Sequence, residues 1–205
     1  MDLNKFMNDV HENAVSHGWW DDDRSDATIR SLFHAEVSEA VEAYRSGESD
    51  HWHKCPHVLG GACEETPVHE DDLHCEACTP SMRKPEGICV EYIDFVIRVL
   101  DALGKKGECF PETISTVKKL ADWSVDDFMA DDIADVLELN PADFADVIHT
   151  EIALSDVMHN LSYLWTACGL VLAWVEHRNH DAAAMLAEKH EYNKTRSYKH
   201  GGKVC

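Results

Sequence analysis

Two acidic couplets carry the residues whose type and spacing best support chemistry: Glu36-x-x-Glu39 and Glu91-x-x-Asp94. On an α-helix, side chains three positions apart share a face, so each couplet presents two carboxylates together. Two such helices packed side by side would aim four carboxylates at one point. Anions crowded in this way repel one another and lose hydration, so they need a compensating cation. Oxygen-only ligands suit a hard ion such as Mg²⁺ or Mn²⁺. A hard divalent ion held by protein carboxylates points in turn to an enzyme acting on phosphates.

The elements that must position these carboxylates are legible in the periodicity. Residues 3–17 read as a helix, with Phe6, Val10 and Ala14 at helical spacing and Gly18 as its stop. Ser25 or Asp26 can cap a second helix running to about Tyr44, with Ile29, Phe33, Val37, Ala40, Val41 and Tyr44 as its apolar face. Glu36 and Glu39 border that face. Pro85 suits the first turn of a third helix that ends at Leu103, before Gly104. This third helix is apolar around nearly its whole circumference, interrupted by the stripe Glu91, Asp94, Arg98 and Asp101. A helix of that kind is usually buried, and buried carboxylates cost several kcal/mol unless paired or metal-bound.

Further along, Pro111 opens a less regular helical stretch to about Trp123. Residues 124–140 are acidic and suggest short helices. Pro141 starts a long helix, roughly to His177, and a final helix runs from about Asp181 to Tyr192. No β-strand pattern and no internal repeat stands out. The expected class is all-α, a helical bundle, with residues 46–83 as a long loop or insertion.

The net charge of −21 makes a nucleic-acid polymer or an anionic membrane an unfavourable partner. A small phosphate compound can still bind where a metal inverts the local charge. The longest apolar stretch, Leu161 to Val175, is interrupted by Ser162, Thr166 and Gly169 and is too short to span a bilayer comfortably. Residues 1–5 lead into a polar amphipathic stretch without an apolar leader, so a cytoplasmic protein is expected, with cysteines as thiols or metal ligands.

Four of those cysteines, Cys55, Cys63, Cys75 and Cys78, fall in the 46–83 insertion among several histidines. Cys75-x-x-Cys78 is a zinc-knuckle spacing, and a polar loop of this length has little core of its own, so a metal could supply its order. These four are the expected structural Zn²⁺ ligands, with His57 as the substitute. The alternatives are an insertion with incidental thiols or a redox pair, the latter disfavoured because no strand precedes it.

At the acidic couplets the chain resembles the MazG-like all-α nucleoside triphosphate pyrophosphohydrolases, whose pattern is E-x-x-E on one helix and E-x-x-D on a later one. Three further stretches carry the resemblance: His11-Glu12-Asn13-Ala14 through Gly18-Trp19-Trp20, Lys84-Pro85-Glu86-Gly87-Ile88, and Glu191-Tyr192-Asn193-Lys194-Thr195-Arg196 with His200-Gly201-Gly202-Lys203. The resemblance implies a single four-helix-bundle-like MazG-type domain over 1–205, with insertions at about 46–83 and 105–180, that assembles as a dimer or tetramer. It also implies Mg²⁺-dependent cleavage of a nucleoside triphosphate to the monophosphate and pyrophosphate, with Glu36, Glu39, Glu91 and Asp94 as metal ligands. A dGTP-directed role in phage nucleotide metabolism is one sub-case.

Within that reaction, Glu39 is a candidate for the group that accepts the water proton. Lys84, Arg98, Lys194 and Arg196 are candidates to neutralise the leaving pyrophosphate. Trp19 and Trp20 could stack on a base or serve as packing, and Asn193 could bind nucleotide or cap the last helix. The rival expectations are a zinc-stabilised helical interaction protein that has lost catalysis and a pyrophosphohydrolase of another nucleotide compound. The two insertions depart from the family pattern and bear on assembly and substrate choice more than on the acidic couplets.

Overall fold

A computed structural model describes residues 1–54, 83–127 and 133–199. Eight α-helices lie in these residues: α1 (Leu3–Ser16), α2 (Asp26–Arg45), α3 (Ile88–Lys106), α4 (Val117–Asp127), α5 (Ile133–Leu137), α6 (Pro141–Val157), α7 (Ser162–His177) and α8 (Ala182–Lys194). The all-α class expected from periodicity is what the chain adopts. Capping chemistry sets several starts. The side chains of Asp2, Ser25, Asn140 and Asp181 each accept a hydrogen bond from a first-turn backbone N–H, satisfying donors that have no intrahelical partner.

Helix α3 is the centre of the bundle. It packs against α1, α2, α7 and α8, which is why apolar residues nearly encircle it. Helix α6 covers α2 and α7, and α4 lies along α7. The 105–180 stretch therefore shares one core with the couplet helices. Its deepest point is an aromatic cluster: Phe144 stacks on Trp174 at 4.8 Å, Tyr92 meets both edge-on, and the Tyr92 hydroxyl donates to the Pro141 carbonyl at 2.6 Å.

Three boundaries differ from the expectation. First, the chain contains two short antiparallel strands, β1 (Trp52–Lys54) and β2 (Lys84–Glu86), with His53 opposite Pro85. Three residues are too few to show an alternating pattern, and the partners lie on either side of the Cys/His insertion, so local reasoning misses them. Pro85 thus sits in β2, and α3 begins only after Gly87. A Cβ at Gly87 would lie 2.5 Å from the Ser49 carbonyl oxygen, and its φ of +113° also excludes an ordinary side chain. The amides of Ile88 and Cys89 are thereby free to donate to the carbonyls of Ser49 and Asp50, joining the start of α3 to the entry of β1.

Second, Gly104 does not stop α3. It lies inside the helix where α1 approaches closely, and Gly107, in the left-handed conformation, ends it. Third, the long helix expected over 141–177 is two helices. Met158 closes α6, His159 takes a left-handed φ of +48°, and α7 starts at Ser162. The apolar repeat runs through the break because both helices bury residues in the same core.

Candidate metal centre

Helix α2 contributes Glu36 and helix α3 contributes Glu91 and Asp94. One carboxylate oxygen from each lies within 4.8 Å of the others. Glu36 is 6% exposed and Glu91 8%, so these carboxylates meet inside the α2–α3 packing. Burial, opposed by Arg98, raises the Glu36 pKa; Asp94 and Glu39 add to the rise. Burial and then the neighbouring Asp94, opposed by Lys189, push Glu91 up to about 8. Clustered carboxylates whose charged forms are disfavoured are deficient in positive charge. The donor set is all oxygen, so these three residues fit a hard divalent cation.

Protein cations supply part of the balance. Arg98 Nε donates to Glu36 Oε1 at 2.8 Å. Lys189 Nζ lies 2.8 Å from Asp94 Oδ2 and donates to the Pro85 carbonyl at 3.1 Å. At 1% exposure, Lys189 is among the most buried large side chains in the protein. Burial acts to lower its pKa, but Asp94 and Glu91 outweigh that and raise it, so the ammonium stays charged. Arg196 is a third cation within electrostatic reach of Asp94 and Glu36; burial lowers its pKa.

The other sequence-derived residues fall in different places. Glu39 is exposed on α2 and its carboxylate is not part of the three-residue cluster. Three residues of helix leave it about 60° around the axis from Glu36, enough to leave the α2–α3 seam while still repelling Glu36. Lys84 pairs with Glu86 at 2.6 Å, yet its charge reaches Glu91. Lys194 pairs with Glu191 on the exposed face of α8. Asn193 belongs to the last turn of α8, and its side-chain oxygen is buried without a hydrogen bond.

Trp19 is buried, with Arg24 and Arg98 over its ring. Trp20 donates from Nε1 to Asp101 at 2.8 Å, and Asp101 also contacts His11 at 2.8 Å. Both tryptophans are thus engaged in packing at the α1–α3 corner. The basic tail folds back on the acidic turn after α1: Tyr198 bonds to Asp21, and Lys199 pairs with Asp22 at 2.9 Å. Cys55, Cys63, Cys75, Cys78 and His57 lie outside the described residues.

Lys189 is the residue that motif reading missed. Its signal is a pattern: Ala182, Met185, Leu186, Lys189 and His190 form the buried stripe of α8 at i, i+3, i+4, i+7 and i+8. A lysine on such a stripe has to meet an anion inside the protein.

No family model, curated protein or solved structure matches this chain. No described helix is long and apolar enough to cross a membrane.

Proposed function

We propose that the protein is a Mg²⁺-dependent pyrophosphohydrolase that converts a nucleoside triphosphate and water into the monophosphate and pyrophosphate. The observation that carries this reading is the convergence of Glu36, Glu91 and Asp94 within 4.8 Å on two packed helices. The resemblance of the couplets and flanking motifs to MazG-like enzymes supplies the reaction. Glu36, Glu91 and Asp94 would hold the ion. A bound Mg²⁺ orients phosphates, lowers the pKa of water and neutralises developing charge. Around it, Arg98 and Arg196 offer planar donors to phosphate oxygens, and Lys189 holds Asp94 in place. Glu39, exposed beside Glu36, would take the proton from the attacking water.

The internal pairs Arg98–Glu36 and Lys189–Asp94 favour one rival, a helical interaction protein whose carboxylates are satisfied without metal. A panel of NTPs and dNTPs with Mg²⁺ separates the two. The enzyme reading expects monophosphate and pyrophosphate in equal amounts, with loss of at least about a thousandfold in rate for Asp94→Asn and Glu36→Gln while circular dichroism stays unchanged. No turnover of any nucleotide, together with no Mg²⁺-dependent thermal shift, would overturn it in favour of the rival.

A further inference from the structure

A second group of ligating side chains lies where β1 meets α8. His53 Nε2 is 2.7 Å from Glu188 Oε1, and His51 Nε2 is 2.9 Å from Glu188 Oε2. The two rings lie 4.8 Å apart. All three ligating atoms fall within 4.8 Å of one another. We propose that His51, His53 and Glu188 form a transition-metal site, suited to Zn²⁺, that clips β1 to α8.

The arrangement fits a metal better than a plain ion pair in two respects. In tetrahedral zinc sites with nitrogen and oxygen ligands at about 2.0–2.2 Å, neighbouring ligand atoms stand about 3.3 Å apart. The two histidine–carboxylate separations, 2.7 and 2.9 Å, need to open by only about half an ångström. In addition, only His53 makes an aligned hydrogen bond to Glu188. His51 Nε2 is buried 2.9 Å from the other carboxylate oxygen but out of line for a hydrogen bond. A buried imidazole nitrogen beside a second imidazole and a carboxylate is a ligand position once its proton is released. Two imidazoles and one carboxylate also select Zn²⁺ or a similar ion over Mg²⁺, which prefers oxygen donors.

A neighbouring trio, Asp50, Cys89 and His180, has comparable spacing but different chemistry. Arg178 grips Asp50 with two hydrogen bonds of 2.9 and 2.7 Å. Burial and then the Asp50 charge push the Cys89 thiol up to about 12, so it holds its proton at neutral pH. That trio is a closed ion-pair network.

The placement gives the metal a mechanical role. Glu188 precedes Lys189, and Lys189 reaches the Pro85 carbonyl, which lies opposite His53 in the strand pair. Fixing Glu188 to β1 therefore fixes the stretch of α8 that carries the buried ammonium into the acidic centre.

The test is a Zn²⁺ competition titration against a colorimetric chelator, on full-length protein stripped of metal, with 10 mM Mg²⁺ present. Wild type is expected to bind an equivalent of Zn²⁺ that His53→Ala and Glu188→Gln each bind at least about tenfold more weakly, since loss of even a supporting contact weakens metal sites by that factor. Co²⁺ loaded at this equivalent should give visible d–d bands without near-ultraviolet thiolate absorption. Glu188→Gln keeps the side chain's size, so it decides the matter if His53→Ala fails to fold. Unchanged Zn²⁺ binding in Glu188→Gln, binding abolished by Mg²⁺, or no Zn²⁺ binding by wild type would each overturn the site. The readout is metal affinity, so its result stands apart from that of the nucleotide panel.

Discussion

Replacing Lys189 tests whether the acidic centre is built as described. The ammonium is 1% exposed, 2.8 Å from Asp94 Oδ2, and bonded to the Pro85 carbonyl. Lys189→Met keeps much of the apolar stem and deletes the charge. Asp94 is then left facing Glu36 and Glu91 within 4.8 Å with its nearest counter-charge gone. Breaking a buried pair by removing one partner costs about 3–5 kcal/mol. The Asp94 side chain is 19% exposed, so some of its charge is recovered by water, and the lower end, about 3 kcal/mol, is expected. Asp94→Asn strands the lysine instead, although Glu91 remains near it, so about 2 kcal/mol is expected there. The double variant removes both charges and should cost about 2 kcal/mol less than the sum of the singles, the signature of direct contact. Urea unfolding followed by circular dichroism, in EDTA at pH 7, measures all four proteins. Adding Mg²⁺ should restore part of the stability of Lys189→Met, because a divalent cation replaces the missing charge. Additive costs within about 0.5 kcal/mol would refute the pairing, as would a Lys189→Met cost below about 1 kcal/mol.

Glu91→Gln should stabilise the metal-free protein. The folded-state pKa of Glu91 is raised from 4.5 to about 8, so the stability that its proton confers is present below pH 4.5 and is lost as pH rises through about 8. Measured in EDTA, the advantage of the variant should widen by about 1.4 kcal/mol per pH unit between pH 5 and 7 and level off above pH 8; a gap independent of pH would refute the burial of this charge. Gly169→Ala probes the α4–α7 contact, since a Cβ there would lie 1.8 Å from Ser124 Oγ and 2.6 Å from the Leu120 carbonyl oxygen. A loss of about 2 kcal/mol or more in urea unfolding is expected, and wild-type stability would show that the two helices are not so closely packed.

Much of the architecture was legible in the residues because its causes are local. The apolar repeats of α1, α2 and α3 follow the helical period, and Ser25 and Asp181 announce their helices through the hydrogen bonds that they accept. Carboxylates on a nearly all-apolar α3 announced a buried acidic centre, and Glu91 and Asp94 are there with Glu36. Where the reading departed from the structure, the deciding contact was distant. The β1–β2 pair joins residues on either side of an insertion. The 141–177 repeat looked like one helix because a repeat reports which face is buried, not whether the backbone turns between two buried faces.

Which residues are charged, which faces are apolar and which helices carry the couplets can be read along the chain, since those properties depend on neighbours within about two turns. Which charges meet is set by the packing of the helices. It turned Glu39 out of the seam, closed Trp19 under Arg24 and Arg98, and drove Lys189 from the far end of the chain onto Asp94. It also set His53 beside Glu188 across 135 residues. The physical reason is that an ion pair or a ligand set is a matter of a few ångströms, and that distance is fixed by how the helices pack, not by spacing along the chain.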